Sequence, residues 1–223
     1  MAVKYYFNGI DLRTYHVRVS KGKGLLLLPD IKKEVSHSYD NEHGIMMSSG
    51  RCYVKERQIT LSCFTEKMTH DQFLTTMNTL KLLLLDAGTA ELRVEIDGSQ
   101  KPLVYMVRLS GKSDVSPNYE GSRQVGTFDL VLTEPQPVKR VIKVITTAAN
   151  KSLTVAFSGG SRYWTIWWGD GTSGLATNGD TLSHTYSAAG TYYAVVCGEV
   201  DGLTTTLTND SNMTTSTIWN RLL

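Results

Sequence analysis

Few stretches of this 223-residue chain hold residues whose types and spacing could do chemistry, and the foremost is Trp167-Trp168-Gly169-Asp170-Gly171-Thr172. A tryptophan pair running into an acidic glycine turn can be a stacking platform for sugar rings, a loop of oxygen ligands for a metal, or the turn of a hairpin. As a hairpin turn, Gly169 and Gly171 supply positive φ and Asp170 hydrogen-bonds the turn backbone. Trp168 is then expected to anchor a core, while Trp167, its neighbour on the opposite face, stays open to outside contact. Trp164 and Trp167 are the candidate surface-contact residues. A sugar platform requires both to face outward while Ile166 and Trp168 face inward.

Nucleophiles, paired acids and soft ligands are less well placed. Ser158-Gly159-Gly160 is a serine turn without the surrounding Gly-x-Ser-x-Gly of a strained nucleophile, and nothing in the sequence ties His184 to it. His184 is expected to pack or hydrogen-bond beside the strand that holds Tyr186. Asp170 and Asp180, the acids near the tryptophans, both stand in turns, which does not make the carboxylate pair of a glycosidase. His37, His43, Cys52 and Cys63 lack the close spacing of zinc ligands. Gly22-Lys23-Gly24-Leu25 has no following Ser or Thr on the lysine and leads toward Pro29 instead of a helix, so it does not cradle phosphate. No catalytic residue, metal site or cofactor is expected, and the chain does not read as an enzyme.

Composition narrows the partners. With 41% hydrophobic and 20% charged residues the chain can bury a substantial core. A net charge of +2 with no long Lys/Arg run offers no cationic face for a duplex, which excludes nucleic acid as the main partner. The leucine runs at 25–28 and 82–85 are too short for membrane insertion. The opening MAVKYYFNGID has no apolar run before a small-residue cleavage site, so a product made and kept in the cytosol is expected. Three cysteines, Cys52, Cys63 and Cys197, without dense spacing agree with a reducing compartment.

Glu134-Pro135-Gln136-Pro137 divides the chain, because its prolines favour extended backbone and cannot join a central ladder. The expected domains are 1–137 and 138–223, and the fold class is mainly β. In the first, period-two alternation predicts strands at 3–7, 15–20, 58–64, 90–96, 103–109 and 126–132, with Asp97-Gly98-Ser99 as a hairpin turn. One helix is predicted over 70–84, with Thr69 as N-cap and Gln72 completing a capping box. Its stripe of Phe73, Met77, Leu80 and Leu84 suits a sheet face. Residues 21–30 and 37–51 read as irregular. The second of these carries Ile45, Met46 and Met47 among polar neighbours, an apolar tip suited to a subunit interface. In the second domain, strands at 141–146, 152–157, 163–168, 191–196 and 203–207, with no helix between them, predict a β-sandwich.

The second domain resembles the polycystic kidney disease-type module, an immunoglobulin-like β-sandwich. The resemblance rests on Trp168-Gly169-Asp170-Gly171-Thr172, His184-Thr185-Tyr186 and Gly190-Thr191-Tyr192, in that order and spacing. It implies structural turn and core roles for Trp168, Gly169, Asp170, Gly171, His184, Tyr186, Gly190 and Tyr192. One departure is Ile166, where that family has a tryptophan.

The first domain resembles the N-terminal domain of siphophage distal tail proteins, a tail-tube-like β fold. The residues are Phe7-Asn8-Gly9-Ile10-Asp11, Gly24-Leu25-Leu26-Leu27-Leu28-Pro29, the strand Arg57-Gln58-Ile59-Thr60-Leu61-Ser62-Cys63, and Gly126-Thr127-Phe128-Asp129-Leu130. The resemblance implies a structural subunit of a phage or prophage tail, self-associated in a ring that is commonly a hexamer and bound to other tail proteins. Such a chain is expected in the bacterial cytoplasm during assembly and in the virion tail afterwards, its second domain projecting for protein or cell-surface contact. The alternative is a carbohydrate-binding or adhesive accessory module with a cell-surface glycan as partner.

Overall fold

Alternating apolar residues build most of the chain into antiparallel strands. A computed structural model describes residues 3–33, 36–38, 40, 41, 43, 44, 46, 47, 52–111, 114–160 and 162–221. The first half contains β1 (Val3–Phe7), β2 (Ile10–Asp11), a 3-10 turn (Leu12–Tyr15), β3 (Val17–Lys23), the short β4 (Ser36–His37) and β5 (Met46–Met47), and β6 (Arg57–Thr65). It continues with β7 (Met68–Thr69), α1 (His70–Asp86), β8 (Ala90–Ile96), β9 (Leu103–Leu109), β10 (Val115–Glu120) and β11 (Arg123–Glu134). The main sheet runs β2-β1-β8-β9-β11-β6-β3, with β7 and β10 also pairing with β11.

Inward positions follow the pleat. In β6 they are 57, 59, 61, 63 and 65, and in β11 the even positions 124–134, so Arg57 and Glu134 stand inward and directly opposite each other at the sheet's end. α1 closes the core with Phe73, Met77, Leu80 and Leu84 buried, and its start is fixed by the capping box: Thr69 Oγ1 accepts from the Gln72 amide at 3.4 Å, and Gln72 Oε1 from the Thr69 amide at 3.2 Å.

Two boundaries differ from expectation for local reasons. Tyr15 belongs to the 3-10 turn, capped by Asp11 and ended by His16 at φ 54°, so β3 begins at Val17. β3 then runs on to Lys23, because its pairing with β6 continues past a bulge between Val19 and Lys21. Within 37–51, Ser36–His37 pairs with Met46–Met47 in a two-stranded ribbon. Ile45 and the side chains of Met46 and Met47, the expected subunit interface, lie outside the described residues.

The second half contains β12 (Lys139–Thr146), β13 (Lys151–Ser158), β14 (Trp164–Trp167), β15 (Ser173–Ala176), β16 (Thr181–Tyr186), β17 (Gly190–Gly198), β18 (Thr204–Asn209) and β19 (Met213–Trp219). A five-stranded sheet, β15-β14-β17-β12-β19, packs on a three-stranded one, β16-β13-β18. Ile142, Val144, Leu153, Val155, Phe157, Trp164 and Val196 are among the buried side chains between them.

The halves also pack on each other. Tyr193–Cys197 in β17 and Leu103–Val107 in β9 are each five consecutive buried residues, the mark of strands covered on both faces. Leu103, Tyr105 and Val107 face the first core. Val104 and Met106 face the other way, onto Val141, Tyr193, Val195, Cys197 and Ile218. Trp219 Nε1 donates to the Pro102 carbonyl at 2.8 Å across this junction, and the Arg93 guanidinium lies 5.0 Å from the centre of the Tyr193 ring.

Candidate functional site

The β14–β15 hairpin places the tryptophans. Trp164, Ile166 and Trp168 share the inward face and are all buried. Trp164 stacks on Phe157 at 6.0 Å, and its Nε1 donates to the Glu199 carbonyl at 2.6 Å. The expected outward pairing of Trp164 with Trp167 is therefore corrected: residues three apart on a strand point to opposite faces. Trp167 is half-buried and packs on the cluster between the halves. The Trp164 ring offers no free face of the kind a sugar platform needs.

The turn itself is a brace. Trp168 N donates to the Thr172 carbonyl at 3.0 Å, and Gly169 has φ +86° against the backbone of β17, where a Cβ would stand 2.7 Å from both N and O of Tyr193. Asp170 Oδ1 accepts from the Thr172 amide at 3.0 Å and hydroxyl at 2.6 Å, and its Oδ2 lies 2.7 Å from His184 Nε2. His184 stacks on Trp168 at 4.9 Å and meets Tyr186 edge-on at 4.8 Å. Tyr186 in turn stacks on Tyr192 at 4.4 Å and donates its hydroxyl to the Trp168 carbonyl at 3.0 Å. Each polar atom named is spent inside the cluster.

This arrangement does not perform acyl transfer. His184 lies opposite Leu153, whereas Ser158 lies five residues further along β13, about 17 Å away at the rise of a strand. Burial works against the Asp170 carboxylate, but hydrogen bonds from the Thr172 hydroxyl and amide and from His184 outweigh it and hold its carboxyl below the usual range. A carboxyl lowered on folding adds stability that is complete above its unfolded pKa of about 3.9 and is lost as pH falls through the folded value. Asp170→Asn is expected to lower Tm at neutral pH and to flatten the decline of Tm as pH falls below about 4. Wild type and variant declining in parallel over that range would refute the brace.

Among the described residues, no group of three or more His, Cys, Asp or Glu is placed to hold a metal ion. Burial pushes the Cys63 and Cys197 thiols up to about 12, leaving them small core residues and not thiolate ligands. Burial also pushes Glu91 up to about 7, but the cavity beside it, between Ala87, Thr89 and Trp167, is about 80 Å³, room for water and not for a substrate. No helix among the described residues is long and apolar enough to cross a membrane.

No protein-family model matches the chain. No curated protein matches it either. Among solved structures it is similar to the Dit protein of phage SPP1, described as a paradigm of the hub adsorption apparatus in phages infecting Gram-positive hosts. The TM-score is 0.45 with 12% identity, covering 93% of this chain and 100% of that one. It is also similar to a chain of the phage p2 baseplate in its activated conformation with Sr, at TM-score 0.43 and 8% identity over 89% of this chain and 99% of that one.

Two further features lie near the end of the first half's sheet where Arg57 meets Glu134. At the junction, Lys139 Nζ bonds Glu134 Oε1, and Arg57 Nε stands 3.5 Å from Glu134 Oε2, all three side chains being buried. The Lys139 ammonium lies 4.5 Å from the Tyr105 ring centre. Burial pushes the Glu134 carboxyl up and the Lys139 amine down, each opposed by the other's charge. The second feature grows from the first. Arg57 Nη1 at 3.2 Å and the Tyr105 hydroxyl at 2.6 Å both donate to the Leu25 carbonyl, fixing the start of a turn that carries Leu26, Leu27 and Leu28 exposed. Gly24, at φ +86°, makes the turn possible, since a Cβ there would strike the Gln58 carbonyl oxygen.

Proposed function

We propose that this chain is a structural component of a phage or prophage tail, a distal-tail ring subunit that binds copies of itself, as in a hexamer, and other tail proteins. The observation that carries the proposal is the rigid leucine turn: a polar cluster pins Leu25 from below while three leucines stand in solvent. Exposed leucines held in this way are surface awaiting a partner, not a relaxed loop. The order of elements that resembles distal tail proteins supplies the class of partner.

The second half would then sit on the ring body, one face of its larger sheet packed against β9, with the three-stranded sheet outermost. The outer face of that sheet carries cross-strand hydroxyl pairs, Ser152 with Thr185 at 2.7 Å and Thr154 with Ser183 at 2.9 Å, and is the surface we assign to protein or cell-surface contact. Assembly in the bacterial cytoplasm and residence in the virion tail follow from this reading. Negative-stain imaging of the purified chain, together with antibody labelling of tailed particles, tests it. Closed rings and label at the tail tip are expected; particles whose tails carry no label would reject it.

A further inference from the structure

Two leucine surfaces on the first half are exposed among the described residues. One is the turn of Leu26, Leu27 and Leu28, exposed by 71%, 58% and 64%, with exposed Ile31 and Tyr53 beside it. These two lie on a ribbon closed by the Lys32 amide to the Tyr53 carbonyl and the Lys55 amide to the Asp30 carbonyl, each 2.7 Å. The other surface is the outside of α1. There Leu74, Leu82 and Leu85 are exposed by 65%, 50% and 67%, turned away from the buried stripe. Neither surface can withdraw. The turn is anchored by Leu25 and by buried Pro29, and α1 is held by its capping box and four buried side chains.

The geometry points to a heterologous contact between copies of this chain, in which the leucine turn of one seats on the outer face of α1 of the next. It rests on the assembly reading and names the surfaces that mate. Charge favours this pairing over like with like. Lys21, Lys23, Lys32, Lys33 and Lys55 outnumber Asp30 and Glu56 around the turn, whereas α1 carries Asp71 and Asp86 against Lys81. Turn against turn would set lysines against lysines. Area is sufficient as well. Together the two surfaces expose on the order of 900 Å² of residue surface, close to the apolar share, a little over half, of a standard interface of about 1,600 Å². A head-to-tail contact propagates from copy to copy and ends only when the rotation closes a ring.

Sedimentation of the full chain tests the pairing with two variants, Leu26→Gln/Leu28→Gln on the turn and Leu82→Gln/Leu85→Gln on the helix. Wild type is expected to form a closed oligomer and each variant alone a folded monomer by circular dichroism. Mixed in equal amounts, the variants should give a dimer and nothing larger, because one intact turn and one intact helix face remain. Wild-type rings that persist in either folded variant overturn the pairing and leave the assembly reading standing. Monomeric variants that give no dimer on mixing overturn it too, and a wild type that stays monomeric removes both. Should a double variant lose its fold, Leu26→Gln and Leu85→Gln singly carry the same test.

Discussion

Lys139→Ala is expected to lower the free energy of unfolding by about 3–5 kcal/mol, because it leaves the fully buried Glu134 carboxyl without its bonded partner. The remaining cation, Arg57, stands at 3.5 Å with Nε and Glu134 Oε2 unjoined by a hydrogen bond, so it does not replace the lost partner. Glu134→Gln is expected to cost a similar amount for the opposite reason. It keeps the shape but leaves Arg57 and Lys139 out of water without the carboxylate that both face. The combination Arg57→Met, Glu134→Leu and Lys139→Met should recover most of the loss, since well-packed apolar side chains of similar volume commonly match or exceed a buried ionic cluster by about 1–4 kcal/mol. The Tyr105 hydroxyl still holds Leu25 in that variant. Urea unfolding at neutral pH reads all three, and single-variant losses under about 1 kcal/mol would show that the cluster does not secure the junction.

The cluster also accounts for what the sequence conveys about the junction and what it hides. By parity alone, Glu134 continues the inward series Phe128, Leu130 and Leu132, and Arg57 continues Ile59, Leu61 and Cys63. The placement was there to be seen. It was masked by the prolines that follow, which draw Glu134 into a linker, whereas Lys139 lies just beyond them and folds back onto the same carboxylate. The uninterrupted apolar run Tyr193–Cys197 likewise announced a strand covered on both faces, although no pattern in the run says by what.

Elements with strong local signals were legible. The capping box fixed the start of α1, and the strands with clean alternation stand within a few residues of their expected bounds. Elements stabilised by pairing alone were not. β10 contains Pro117, acceptable because β10 pairs with β11 alone, and β19 is mostly threonine and serine, with Ile218 and Trp219 its apolar contribution to the junction. The leucine turn was visible as a sequence motif but not as a surface. Whether four consecutive leucines are buried depends on what holds the ends, and that is decided by Arg57 and Tyr105, far along the chain.

Trp164→Ala is the second substitution expected to have a large effect, about 3–5 kcal/mol of lost stability. The indole is fully buried, stacks on Phe157, and supplies through Nε1 a hydrogen bond to the Glu199 carbonyl. Truncation therefore opens a cavity and strands an acceptor in one step. Trp167→Ala should cost less, roughly 1–2 kcal/mol, since Trp167 is half-buried and loses contact area without orphaning a core group. The ratio of the two effects carries the argument about WWGDGT. A ligand platform would make both tryptophans nearly neutral for folding and costly for binding; a core residue and a junction residue give a large and a moderate loss of stability. Denaturant midpoints for the two variants decide between these outcomes, and a Trp164→Ala protein as stable as wild type would return that side chain to the surface.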